Sequence, residues 1–195
     1  MTSQMEQQLS APDRVRQALA AAGVVTRIEE FPSSTRTAQE AAATVGTSVG
    51  QIVKSLLFLA GGSPVIALVS GVNQLDTQRL AALSGAGIGK ANADAVRQAT
   101  GYSIGGVPPL GFPAPIPTFI DRDLLQYDLV WAAAGTPRHV FPIAPQELVR
   151  ITGGTVADLK APTLPSPNVS NARLALKRRS RGPTGPQAGE GEFSG

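Results

Sequence analysis

Apolar and polar positions along this chain keep switching between the period of a helix and the period of a strand. SAPDRVRQALAAAGV places apolar residues at helical spacing, opens on Ser10, has an acid in its first turn at Asp13, and stops at Gly23. VVTRIEEF then alternates as a strand does. TAQEAAATVG pairs Thr37 with Glu40 three residues later, a capping box, and ends on Gly46, which predicts a second short helix. QIVKSLLFLA and PVIALVSG follow, separated by GGS, and two such runs across a tight Gly-rich turn predict a β-hairpin. LDTQRLAALSG and NADAVRQATG each offer a cap residue, apolar spacing near 3.6 and a terminal glycine, so both read as helices.

The stretch YSIGGVPPLGFPAPIP, Tyr102 to Pro117, is too crowded with Gly and Pro for regular structure. Beyond it PTFID, DLVWAAAG and HVFPI read as strands, APQELVRITGG as a helix with Pro145 at a favourable early position, and TVADL as a last group that closes the sheet. Strands and helices are interspersed, but the hairpin and the short links argue against a doubly wound parallel sheet. The expected class is α+β with a mixed, curved β-sheet flanked by short helices. One domain over residues 1–160 is expected. From about Ala161 onward the chain is rich in Pro, Gly, Ser and Arg and lacks an aliphatic pattern, which predicts a disordered basic tail over 161–195.

Charge changes the picture only when it is divided. The net +3 conceals 11 Lys/Arg against 12 Asp/Glu from Met1 to Leu159, and 6 against 2 from Lys160 to Gly195. The basicity sits in the tail, so the folded part has no electrostatic footprint for broad nucleic-acid binding. Aromatics at 5% argue against a base-stacking surface as the main feature. With no cysteine, thiolate nucleophiles, disulfides and cysteine-ligated zinc are excluded, and with one histidine a Ser-His-Asp triad has only His139 to use. No cofactor and no metal site is expected. The first ten residues lack the charged and apolar regions of a secretory signal, and the longest apolar runs are too short for a bilayer, so no membrane partner and a cytoplasmic location are expected.

The candidate chemistry begins at Lys54, in the middle of QIVKSLLF. In a strand it shares a face with Ile52, Leu56 and Phe58, which puts an ammonium on an apolar face. An edge-strand or snorkelling lysine is the bland explanation. Three other stretches could build a site with it: the loop Ser103 to Gly111, the segment Gly71 to Asp76, and AAAGTPRH ending at His139. Glycines in GGVPPLG let the backbone approach a ligand, prolines hold it rigid, and exposed amides there can donate to an oxyanion. The loop lacks the ending of a phosphate-binding P-loop and does not fit GxGxxG. Asp121, Asp123 and Asp128 lack a calcium-loop pattern and read as a solvated turn and helix start.

Taken in order, these pieces resemble the YbaK/prolyl-tRNA synthetase-associated domain family, whose members hydrolyse mischarged aminoacyl-tRNA. The resemblance runs from about Thr37 to Asp158 and is carried by TAQEAA, IVKSLLF, SGVNQLD, ADAVRQATGYSIGGVPPLG and WAAAGTPRHVFPIAPQELVRITGG, with Gly105 to Pro109 matching the family's GxxxP loop. It implies a partly open, barrel-like sheet. It also implies that Lys54 lies in an editing pocket near the phosphate or ribose of the terminal adenosine, where a point charge on a flexible stem suits a phosphate oxygen. Gly105 and Gly106 are expected to present amides to the ester carbonyl, with Ile104, Val107, Pro108 and Pro109 holding the aminoacyl group. Ile52, Leu56 and Val69 are expected in the pocket wall, and Ser70 and Asp76 beside it, with helix capping as the alternative for Asp76. His139 is carried as a substrate-side residue against the commoner structural role of a lone histidine.

The activity implied is trans-editing deacylation of tRNA-Pro carrying a small amino acid such as Ala, Cys, Ser, Thr or 2-aminobutyrate, with a synthetase as a further partner. The alternative is a binding module that associates with a synthetase or tRNA without turnover. A third reading rests on the tail's KRRSR and predicts salt-sensitive, sequence-independent nucleic-acid binding that is lost on deleting the residues after Lys160.

Overall fold

In a computed structural model of the chain, the described residues are 9–35 and 37–162. They form five helices, α1 (Ala11–Ala21), α2 (Ala38–Val45), α3 (Thr77–Ser84), α4 (Ala93–Thr100) and α5 (Pro145–Thr152), with two 3-10 turns at Val49–Gln51 and Arg122–Gln126. The strands are β1 (Glu29–Glu30), β2 (Val53–Ala60), β3 (Ser63–Ser70), β4 (Ile88–Lys90), β5 (Thr118–Asp121), β6 (Val130–Ala133), β7 (His139–Ile143) and β8 (Thr155–Ala157). Residues 102–117 form no regular element. The expected tail lies outside the described residues.

Local chemistry sets the helix ends. Thr37 accepts the Glu40 N–H, Asp76 accepts those of Gln78 and Arg79, and Asn92 accepts that of Ala95 at 2.8 Å, while Gly46, Gly85, Gly101 and Gly153 close four helices in the left-handed conformation. Replacing Asn92 by alanine is expected to cost about 1 kcal/mol. Thermal unfolding should then show a melting temperature lowered by about 2–4 °C for a domain of this size, and an unchanged melt would remove the cap from the account.

A five-stranded mixed sheet has the order β4-β2-β3-β5-β8, antiparallel at β4-β2-β3 and parallel at β3-β5-β8. Its central hairpin closes through Gly61 and Gly62, whose φ values of 55° and 89° are those of a tight primed turn. β3 shows why PVIALVS carries almost no polar residue: Ile66 and Leu68 pack into the main core with α1, α4 and α5, and Val65, Ala67 and Val69 pack on the other face with Leu80 of α3. A strand covered on both faces reads as a continuous apolar run. The second sheet, β1-β7-β6, is antiparallel and joins the first through a single bridge between Ile52 and Trp131, so the sheet wall is curved and unclosed.

The alternation in VVTRIEEF does not become a full strand. Only Glu29 and Glu30 pair with β7. The next position of β7 that would serve this ladder is Pro142, which has no N–H to offer, and its carbonyl takes the Thr26 hydroxyl at 2.8 Å instead. The short strand β4, hidden among glycines, has no counterpart in the elements read from sequence.

Candidate active site

The single bridge between the two sheets opens a cavity of about 290 Å³ beside it. Its wall takes Ile52 from just before β2, Lys54, Ser55 and Leu56 from the start of β2, Trp131 and Ala133 from β6, and His139 and Val140 from β7. Thr35, Thr37, Ala38 and Ala41 complete one side, and Ile104, Gly105 and Val107 of the irregular loop complete the other, with Thr136 and Pro137 between them. The volume lies at the lower limit of small-ligand sites, room for one small group such as an aminoacyl moiety.

Lys54 is half-buried, and its Nζ donates to the main-chain carbonyl of Asn73. Burial pushes this ammonium below the usual lysine range, and the negative charge of Asp121 opposes the shift. Asp121 corrects the reading of a solvated turn: it is fully buried, and its carboxylate accepts from Ser70 N, from Asn73 Nδ2 and from Asp123 N. A hydrogen bond from Asn73 Nδ2 at 2.9 Å, and after it the ion pair with Lys160 at 2.9 Å, hold the Asp123 carboxyl below the usual range.

The loop is fixed against the segment that follows β6. Gly106 sits so close to Gly135 and Thr136 that a Cβ would come within 2.5 Å of Thr136 Cα. Gly135 N donates to Gly106 O at 2.9 Å, and Gly106 N donates to Ser103 O at 3.0 Å. That last bond spends the amide expected to face substrate. The amides of Ile104, Gly105 and Val107 have no partner among the described residues. Gly105 itself adopts φ 84° and lines the cavity.

His139 lines the cavity too. Its Nδ1 lies 2.6 Å from Thr136 Oγ1, a hydroxyl that also accepts from Arg138 N at 3.1 Å. The ring's other nitrogen, Nε2, faces the Glu30 carboxylate at 3.9 Å, beyond hydrogen-bond distance. The opposite rim is laced to this segment by Phe31 N donating to Arg138 O and Thr35 N to Pro137 O.

The structure thus brings together seven of the residues expected from sequence: Lys54, Ile52, Leu56, Ile104, Gly105, Val107 and His139. Others stand outside the cavity wall. Ser70 is buried, its hydroxyl donating to Gly50 O at 2.7 Å; Asp76 is the cap of α3 and pairs with Arg79; Val69 packs under α3. Gly106, Pro108 and Pro109 are buried supports of the loop rather than parts of its cavity face. Sequence reading passed over Trp131, Thr35, Thr37, Thr136 and Ser55, whose hydroxyl is buried without a hydrogen-bond partner among the described residues. Thr136 had a signal, since it follows the WAAAG strand end; the others carry no local mark. Among the described residues no cluster of acids and histidine could hold a metal, and no helix is long and apolar enough to cross a membrane.

Comparison with known proteins gives this cavity a context. Residues 32–151 match the family model for the aminoacyl-tRNA editing domain. The uncharacterized protein YwhH of Bacillus subtilis is 31% identical over 122 residues, 62% of this chain and 78% of that one. EbsC of Enterococcus faecalis, named as a candidate Cys-tRNA(Pro)/Cys-tRNA(Cys) deacylase, is 28% identical over 124 residues, 63% of this chain and 76% of that one. A solved structure of a candidate trans-editing enzyme for prolyl tRNA synthetase superposes with a TM-score of 0.76 at 48% identity, covering 80% of this chain and all of that one. The match spans β2, the irregular loop and the β6-β7 hairpin that together wall the cavity, and the chain belongs to the aminoacyl-tRNA editing domain family.

Proposed function

We propose that this chain is a trans-editing deacylase that hydrolyses the ester of mischarged tRNA-Pro carrying a small, uncharged amino acid. The observation that carries the reading is a small cavity with a half-buried lysine on one wall and, on the other, loop residues whose amides have no hydrogen-bond partner among the described residues. The family supports the reaction class, and the names of EbsC and of the candidate trans-editing enzyme for prolyl tRNA synthetase support the tRNA.

In this mechanism the aminoacyl group enters the cavity and Lys54 holds a phosphate or ribose oxygen of the terminal nucleotide. Water attacks the ester carbon, the carbon–oxygen bond to the ribose breaks, and the ribose oxygen leaves with a proton, giving free amino acid and tRNA. The amides of Gly105 and Val107 stabilise the tetrahedral oxyanion, a role that Gly106 cannot share while its N–H is bound to Ser103. An aminoacyl ester is already activated, so positioning of water and of the neighbouring ribose hydroxyl replaces a strong base. The apolar wall of Ile52, Leu56, Trp131 and Val140 selects by size, where one methylene is worth about 1–3 kcal/mol.

The test is deacylation of tRNA-Pro charged separately with alanine, cysteine, serine, threonine and 2-aminobutyrate. Hydrolysis of at least one ester well above the spontaneous rate, with prolyl-tRNA-Pro spared, is the expected result. No turnover of any of them by folded protein would leave the non-catalytic binding module as the better account.

A further inference from the structure

Lys54 stands on a hairpin that contains no acid: neither β2 nor β3 has an Asp or Glu. The charge that answers it comes from the end of β5. Asp121 is buried at 0% exposure and forms no ion pair among the described residues, while the neighbouring Asp123 is already matched by Lys160. All three bonds to the Asp121 carboxylate come from neutral donors, Ser70 N at 3.2 Å, Asn73 Nδ2 at 2.8 Å and Asp123 N at 3.1 Å. A fully buried carboxylate with only neutral partners is costly to keep.

Asn73 is the piece between the two charges. Its side-chain amide spans both acids, giving one hydrogen to Asp121 and the other to Asp123 Oδ2 at 2.9 Å. Its main-chain N–H closes a turn onto Ser70 O at 2.9 Å, and its main-chain carbonyl accepts from Lys54 Nζ. A residue held at its amide and at its side chain has little freedom left in its carbonyl. Its direction therefore sets where the ammonium sits.

We propose that Asp121 and Asn73 are positioning residues for Lys54, the buried carboxylate holding the Asn73 amide so that the Asn73 carbonyl fixes the lysine ammonium at the cavity. The Asp121 charge also favours the protonated lysine against the burial that opposes it. Asp123, Lys160, Arg122 and Asp158 are the other charged groups of this network, and the Asp123–Lys160 pair leaves Asp121 as the carboxylate balancing Lys54. The proposal rests on the reading of Lys54 as the substrate anchor, but its first test does not need a substrate.

The chain has four lysines, Lys54, Lys90, Lys160 and Lys177, so lysine-labelled protein gives four side-chain NMR signals, with Lys54 assigned by its loss in Lys54→Met. In Asp121→Asn the Lys54 titration is expected to move to lower pH. In Asn73→Ala, which keeps the main-chain carbonyl and removes only the side-chain tie, the Lys54 ammonium protons are expected to lose their protection from exchange. Lys90, on the far edge strand β4, should be unmoved in both. A merely structural role for the pair would lower stability without this selective change. An unaltered Lys54 signal in both folded variants overturns the proposal and leaves the editing activity standing. With an ester that wild type hydrolyses, each variant should lose about tenfold or more in kcat/KM. A Lys54 signal that moves as stated, in a protein that cleaves no ester, keeps the positioning pair and removes the proposed enzyme instead.

Discussion

Replacing Lys54 by methionine is expected to lower kcat/KM for the preferred mischarged tRNA by about 10²-fold or more while leaving the protein at least as stable as before. The activity loss follows from removing a positioned charge from a half-buried site, where preorganised electrostatic groups are worth about 10²–10³ in rate. The stability sign follows from the direction of the lysine's shift. Burial sets its folded-state value below the unfolded one, so the folded chain binds this proton less tightly than the unfolded chain. The resulting cost is fully present below the folded value and is relieved as pH rises through that value towards the ordinary lysine range. Methionine keeps much of the stem's volume and removes the ammonium. It also releases the bond to Asn73 O, which offsets part of the gain. Deacylation kinetics beside a thermal melt at pH 7 check both halves. Full activity in the variant, or a loss matched by unfolding, would sink the anchoring role.

The second large effect belongs to Gly106→Ala. An added Cβ would lie 2.5 Å from Thr136 Cα, 2.7 Å from Thr136 N and 2.8 Å from Gly135 C, all main-chain atoms that no rotamer change can move. Gly135 is itself packed against Ala11, so the segment cannot retreat. The loop must lift, which breaks the Gly135 N to Gly106 O bond and displaces Gly105 and Val107 from the cavity. Overpacking of this kind costs about 1–3 kcal/mol, so a fall of several degrees in melting temperature is expected for a domain of this length. Deacylation should fall further than stability does, since a misplacement of about 1 Å can cost 10²-fold. A variant with wild-type rate and melt would show that the loop is not held where the close contact puts it.

The two residues differ in how they could be seen beforehand. Lys54 announces itself, because strand periodicity puts its charge on an apolar face, and the resemblance to editing domains attaches a role to it. Gly106 was legible as a loop glycine, and its expected task was to donate its amide to substrate. Its amide is instead bonded to Ser103, and its value lies in the absence of a side chain against Thr136, thirty positions away in the chain. Asp121 is the opposite error. Three acids in DRDLLQYD look like a solvated turn, and one of them is buried under Ser70 and Asn73 because β5 ends there beneath the β3 turn.

What the sequence by itself determined is what neighbours within a few residues can enforce. Caps at Ser10, Thr37, Asp76 and Asn92 bond amides two or three positions on, Gly61-Gly62 turns the hairpin, and the prolines after Tyr102 forbid a regular element there. Those interactions are the same wherever the segment is placed. The mixed order β4-β2-β3-β5-β8, the single Ile52–Trp131 bridge and the cavity beside it were decided only by tertiary structure. Periodicity states that a face is apolar and not which element covers it. Bringing β2, the 103–107 loop and the β6-β7 hairpin to one wall depends on packing between segments some 25 to 90 positions apart.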